Sequence, residues 1–207
     1  MVSQLSEAML DVIADALVDK GYILLSDIIP TFVSLALLEK MQAKQDVDFK
    51  LAAIGRGSEQ QVNTDIRSDK ISWLDNQDQI DNGFLSIMEQ LKDGLNRRLF
   101  MGLFDYESHY AVYEKGAHYK KHVDALKGSQ NRILSTVFFL NPLWQQADGG
   151  ELIIYDENDT IIATVPPLMG TLAVFLSERF PHEVLPTNRT RNSIAGWFRV
   201  SNANHGF

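Results

Sequence analysis

Apolar residues at Leu5, Met9, Val12, Ile13, Ala16 and Leu17 recur at helical spacing, with Ser3 or Ser6 placed to cap the start and Gly21 to stop the run. The pattern predicts an amphipathic helix. Tyr22 to Leu25 reads as a short strand, and Pro30 opens a second helix through about Gln42. From Gln45 to Asn63 the periodicity is weak and the segment contains Gly55-Arg56-Gly57-Ser58, which predicts mostly a mobile loop. Ile80, Phe84, Ile87, Leu91, Leu95 and Leu99 then mark a long third helix.

From Phe104 the period changes. Short β-branched and aromatic runs, broken by turn residues, span 105–113, 119–124, 132–141, 150–155, 161–165, 171–176 and 191–200. Seven or eight short strands imply a sandwich or barrel, with the helices covering one outer face. The expected fold class is therefore mainly β with N-terminal helices (α+β). With no linker, repeat or low-complexity tract between the halves, residues 1–207 are expected to form one domain, with 1–100 mainly helical support and 101–200 the β core.

Composition narrows the classes. A chain of 207 residues that is 45% apolar and 22% charged can bury a substantial core. Its 27 acidic against 19 basic residues give a net charge of −8, which works against attraction to nucleic-acid phosphates or anionic membranes. No cysteine is present, so disulfides and thiolate metal sites are excluded, and a reducing cytosol is compatible. Glu7, Asp11, Asp15 and Asp19 interrupt the N-terminal helix, which therefore lacks the basic start and unbroken apolar run of a signal peptide. The expectation is a cytoplasmic protein with no membrane or direct nucleic-acid partner.

The chemistry concentrates in the β half. His122-Val123-Asp124 is followed by His182 and then by Arg191. Two imidazoles and one carboxylate are the facial triad that holds non-haem Fe(II) while leaving coordination positions open. Residues two apart on a strand share a face, so His122 and Asp124 can reach one ion. Arg191 would supply a planar cationic fork suited to a carboxylate, and it shares a parity with Ser193 and Trp197 on its strand. A zinc hydrolase would want a further carboxylate to activate water, and Glu183, next to His182, would face the other way on a strand. Taken singly, H-x-D is a weak signal, and a lone histidine is more often a hydrogen-bonded surface or core residue.

Around these residues the chain resembles the Fe(II)- and 2-oxoglutarate-dependent prolyl 4-hydroxylase family, and especially the branch of the hypoxia-inducible-factor prolyl hydroxylases. The resemblance rests on Ile66-Arg67-Ser68-Asp69-Lys70-Ile71-Ser72-Trp73-Leu74 and on Tyr113-x-x-Gly116-x-x-Tyr119-x-x-His122-x-Asp124. It continues through Asn131-Arg132, Phe138-Phe139-Leu140-Asn141, Gly149-Gly150-Glu151-Leu152, Pro181-His182-Glu183-Val184 and Arg191-x-x-Ile194-x-x-Trp197-Phe198. It implies a double-stranded β-helix, or jelly roll. It implies Fe(II) on His122, Asp124 and His182, 2-oxoglutarate held by Arg191 with a hydroxyl hydrogen bond from Tyr113, O2 as oxidant and ascorbate as an accessory reductant. A second tyrosine of the animal enzymes is replaced here by Phe139, a departure for which Ser193 could compensate with its own hydroxyl.

The same resemblance places Arg67 and Asp69 in a loop closing over a polypeptide substrate; otherwise they would form an exposed ion pair on a strand edge, worth little. Arg132 is either a substrate contact or a sheet-edge arginine, and Trp197 a pocket wall or a core filler. His109, His118 and His205 have no partner at ligand spacing and read as ordinary polar residues, Gly149-Gly150 as a turn, and Asn188-Arg189-Thr190 as a glycosylation pattern without secretory context. The activity implied is hydroxylation of a prolyl residue in an intracellular protein, with release of succinate and CO2. Bacterial members of the branch suggest a translation factor or ribosomal protein as target. The same chemistry on a free amino acid or natural product, or a non-catalytic sensor of iron and 2-oxoglutarate, are the competing readings.

Overall fold

The structure is a computed structural model that describes residues 4–52, 63–125 and 131–201. Among the described residues there are three α-helices: α1 (Glu7–Asp19), α2 (Thr31–Ala43) and α3 (Gln79–Leu99). Ser6 caps α1 by accepting from the Met9 N–H, and Asp78 caps α3 by accepting from Ile80 and Asp81. The inward stripe of α1 is Leu10, Ile13, Ala14 and Leu17, spaced for a single face, and Val12 points outward.

Eleven strands among the described residues form two antiparallel sheets. The larger is ordered β1 (Tyr22–Leu25), β9 (Leu172–Leu176), β6 (Arg132–Phe139), β11 (Arg191–Val200), β4 (Leu103–Tyr113), β3 (Lys70–Trp73) and β2 (Lys50–Leu51). The smaller is ordered β5 (Tyr119–His122), β10 (His182–Val184), β7 (Leu152–Tyr155) and β8 (Ile161–Val165). The eight strands from β4 onward make the two facing four-stranded layers of a jelly roll. The expected fold class is observed.

Strand alternation builds two cores. On the outer face of the larger sheet, Tyr110, Leu134, Phe138, Ile194 and Phe198 pack against Phe84, Ile87 and Leu91 of α3 and the buried stripes of α1 and α2. Between the sheets, Ala111, Tyr113, Phe139, Phe175, Leu152, Ile154 and Val184 form the second core. Because neighbouring residues on β4, β6 and β11 point to opposite faces, each of these strands serves both.

Several expectations need correction. The first hundred residues, expected to be mainly helical, also supply the β1 strand expected at Tyr22–Leu25 and the unexpected β3, which pair with β9 and β4 and extend the larger sheet at both edges. The segment after Gln45 is not simply a loop: Asp46–Asp48 forms a 3-10 turn closed by Gln45 and Asp48, and Lys50 and Leu51 pair with Ile71 and Lys70. The Gly55 to Ser58 run of that expectation, like His205, lies outside the described residues. The strand expected over 119–124 ends at His122, leaving Asp124 in a bend. No helix among the described residues is long and apolar enough to cross a membrane.

Candidate active site

Strand pairing brings the histidines together. His122 on β5 and His182 on β10 are register partners, and their ring centroids lie 4.3 Å apart. Each Nδ1 faces a backbone carbonyl two residues earlier, Lys120 O at 2.8 Å and Phe180 O at 3.1 Å. A carbonyl only accepts, so both Nδ1 atoms carry a proton, and in the neutral tautomer that this selects, both Nε2 atoms present lone pairs inward. Asp124 faces them, with Oδ1 3.7 Å from His122 Nε2 and Oδ2 3.4 Å from His182 Nε2. Tyr119 stacks flat on His122 at 3.6 Å between centroids.

The electrostatics match a cation site. Burial, reinforced by the His182 ring, pushes His122 down to about 3, so the imidazole is neutral. Burial opposes ionisation of Asp124, but positive charge at the His182 and His122 positions and the Ser135 hydrogen bond outweigh it and hold the carboxyl below the usual carboxylate range; with the Nε2 atoms unprotonated, that positive charge is a bound cation's to supply. One ligand atom from each of the three residues falls within 4.8 Å of the other two. Two lone pairs and an anionic oxygen converging on one point, with no proton between them, fit a divalent metal. The residues fit Fe(II), whose facial triad is this ligand set.

Arg191 opens β11 on the wall of the same cavity. Its side chain is 1% exposed. Nε donates to the Gly150 carbonyl at 2.8 Å and Nη1 to Ser193 Oγ at 3.2 Å, while Nη2 is buried with no acceptor. No carboxylate pairs with it among the described residues, and burial lowers its pKa. A buried guanidinium with an unmet N–H is costly and is relieved by an anion in the cavity. Tyr113 is its register partner on β4, the guanidinium lying 4.8 Å from that ring and 5.1 Å from Phe139. Phe139 is in turn the register partner of Ser193, so the hydroxyl of Ser193 sits beside the ring that has none.

The remaining expected residues divide. Arg67 and Asp69 form a bidentate ion pair, Nε to Oδ1 2.6 Å and Nη2 to Oδ2 2.9 Å. Asp69 is fully buried, so the alternative of an exposed edge pair is wrong. Burial disfavours the charge of Arg67, but the Asp69 bond prevails and raises its pKa. Its guanidinium lies 4.6 Å from the Tyr119 ring, on the cavity wall. Trp197 lines the cavity, with Arg132 over its ring at 3.5 Å; Arg132 also bonds Glu107 at 2.9 Å. Glu183 accepts from the Tyr155 hydroxyl and does not line the cavity, as its parity predicts.

Sequence reading missed several participants. Ser135 donates to Asp124 Oδ2 at 2.7 Å and touches Ser177 at 2.9 Å; the signal was a Ser-Thr pair set among the apolar residues of that strand. Gly150, read as a turn, takes φ of +70° and delivers the carbonyl that orients Arg191. A Cβ at that position would come within 3.0 Å of Arg191 Cδ. His109, read as an ordinary polar residue, is buried between Trp73 and Trp197.

This chain is similar to known proteins. Residues 108–199 match the 2OG-Fe(II) oxygenase superfamily, a span containing His122, Asp124, His182 and Arg191. A solved prolyl-4-hydroxylase from Pseudomonas putida superposes with a TM-score of 0.84 at 35% identity, covering 93% of this chain and 100% of that one. The chain belongs to the prolyl 4-hydroxylase family of 2OG-Fe(II) oxygenases. Within this family it is 31% identical over 154 residues to the hypoxia-inducible factor prolyl hydroxylase of Caenorhabditis elegans, a match covering 65% of this chain and 20% of the relative. It is 30% identical over 141 residues to the prolyl hydroxylase EGLN3 of Mus musculus, covering 64% and 59% respectively. The match thus spans less than two thirds of either relative. Members of the family use Fe(II), 2-oxoglutarate and O2.

Proposed function

We propose that this protein is an Fe(II)- and 2-oxoglutarate-dependent dioxygenase that hydroxylates a prolyl residue of a polypeptide. The observation that carries the reading is Arg191: a buried guanidinium with an unmet N–H on the wall of the cavity that holds a two-histidine, one-carboxylate cluster. A metal site alone would not need it. A dicarboxylic cosubstrate that reaches the metal with one end and Arg191 with the other answers both. The chemistry supplied by Fe(II) and 2-oxoglutarate when bound is oxidative decarboxylation with O2, which releases succinate and CO2 and hydroxylates an unactivated C–H bond.

In this reading His122, Asp124 and His182 hold the metal and leave positions open to the cavity. Arg191, turned by the Gly150 carbonyl and supported by Ser193, clamps the far carboxylate, and Tyr113 adds a hydroxyl. Leu152, Val184, Val137 and Ala111 keep water from the cosubstrate. Arg67, Arg132 and Trp197 form the side where a polypeptide enters, with Arg67 set by its ion pair to the buried Asp69 and Arg132 by Glu107. The similar proteins are prolyl hydroxylases, which supports a prolyl target. We take residues 1–207 as one oxygenase domain acting in the cytoplasm, on a protein such as a translation factor or ribosomal protein. Neither membrane nor nucleic acid has a part in this reading.

The test is incubation of the Fe(II)- and 2-oxoglutarate-loaded protein with a cell lysate, followed by mass spectrometry for prolines that gain one oxygen atom. A site modified by the wild type and not by His182→Ala is the expected result. Turnover of 2-oxoglutarate without any modified proline would transfer the reading to a small-molecule substrate, and turnover by His182→Ala would remove the metal assignment.

A further inference from the structure

The imidazoles are fixed by their backbones, because His122 and His182 pair across two strands and each Nδ1 is tied to a carbonyl. Asp124 has no such support. It lies two residues beyond the end of β5, in a bend, where no strand pairing sets its direction. What holds its carboxylate comes from the opposite sheet. Ser135 of β6 donates to Asp124 Oδ2 at 2.7 Å, and Ser177, one residue past β9, lies 2.9 Å from Ser135 Oγ. Both serines are buried.

The direction of these bonds follows from proton count. An ionised carboxylate only accepts, so the single hydroxyl proton of Ser135 is committed to Asp124, and the bond between the two hydroxyls must be donated by Ser177. The chain therefore runs from Ser177 to Ser135 to Asp124 and ends on an anion, where hydrogen bonds are strongest. It also pins the metal-binding bend of the smaller sheet to the central strands of the larger one.

Building on the metal reading above, we propose that Ser135, oriented by Ser177, is the positioning residue for the carboxylate ligand. Its hydrogen bond sets the rotation of the Asp124 carboxylate and keeps that group aimed at the two Nε2 atoms. Outer partners of metal ligands typically contribute tenfold to a hundredfold in metal affinity. Ser177 acts one step further out, by leaving Ser135 no better use for its proton.

The experiment titrates the metal-free protein with Co(II), without 2-oxoglutarate, and follows the d–d absorption bands together with thermal unfolding of the metal-free form. Ser135→Ala should bind Co(II) roughly tenfold to a hundredfold more weakly, with an altered band pattern and little change in unfolding. Ser135→Thr, which keeps the hydroxyl, should restore affinity and spectrum, and Ser177→Ala should fall between. Wild-type affinity and spectrum in Ser135→Ala would overturn the proposal. So would weakened binding that Ser135→Thr does not restore and that tracks a lowered melting temperature. Asp124→Ala separates the two readings: if it too binds Co(II) as the wild type does, the metal site itself is misassigned.

Discussion

The guanidinium of Arg191 is buried with one N–H unmet, so replacing it separates two quantities that an active-site substitution usually confuses. It touches Ser193 and Gly150 and none of the metal ligands. Arg191→Ala should therefore raise the 2-oxoglutarate concentration needed for half-saturation while leaving Co(II) affinity unchanged. Charge-assisted hydrogen bonds contribute about 1.5–3 kcal/mol each, so the increase should be roughly tenfold to a hundredfold. Arg191→Lys should recover little, because an ammonium cannot serve the Gly150 carbonyl, Ser193 and a carboxylate from one planar fork. Steady-state titration of 2-oxoglutarate beside Co(II) binding decides this, and equal losses in both would place the clamp elsewhere.

Among the elements, β11 shows how close approach constrains a strand. Gly196 lies between Ser108 and Thr136 on its two neighbours, and the Tyr106 hydroxyl crosses over it to meet Thr136 Oγ1 at 2.8 Å. A Cβ on Gly196 would sit 2.3 Å from Tyr106 Oη and 2.8 Å from Ser108 Cβ. Gly196→Ala should thus cost about 1–3 kcal/mol or more by overpacking, a melting temperature lower by roughly 3–10 °C. Gly94 of α3 is a useful contrast. There the atoms nearest a Cβ belong to the Leu10 side chain, the first at 2.5 Å, and Gly94→Ala recovers about 1 kcal/mol of helix propensity, so its loss should be the smaller of the two. Parallel thermal melts test the ranking. The same elements explain what could be read from the residues alone. β4 and β11 are long enough for alternation to declare itself, and parity along β11 is sufficient to put Arg191, Ser193 and Trp197 on one wall. β10 spans only His182–Val184 and β2 only Lys50–Leu51, too short for a period. Asp124 reaches the metal site from a bend, where its carboxylate accepts from Ser135, 11 residues away, and no local pattern encodes that contact. Tyr119 stood within the motif, yet its stacking on His122 depends on a ring orientation that spacing does not report.

At the scale of the whole molecule, the inter-sheet core encloses more than the metal cluster: it also traps His109, and this makes folding a proton-linked event. Its ring lies 5.3 Å from Trp73 and 5.5 Å from Trp197, with Nδ1 against the Tyr110 carbonyl at 3.1 Å. Burial pushes it down to about 4; the positive charges of Arg67 and Arg132 add to this, and Asp69 only partly opposes it. An unfolded histidine titrates near 6.5, so between about pH 6.5 and 4 the unfolded chain binds a proton that the folded protein refuses. Stability from this group is fully present above pH 6.5 and is lost as the pH falls toward 4. The contribution to the slope is at most one proton, about 1.4 kcal/mol per pH unit. His109→Phe keeps an aromatic ring between the tryptophans and removes the titration. Denaturant unfolding of the metal-free protein and of this variant, at pH 7 and at pH 4.5, should show the wild type losing about 2–3 kcal/mol more than the variant over that interval. His122, also pushed down, is common to both proteins and cancels in the comparison. Equal losses would mean that His109 takes up its proton in the folded state, and that the space between Trp73 and Trp197 admits water.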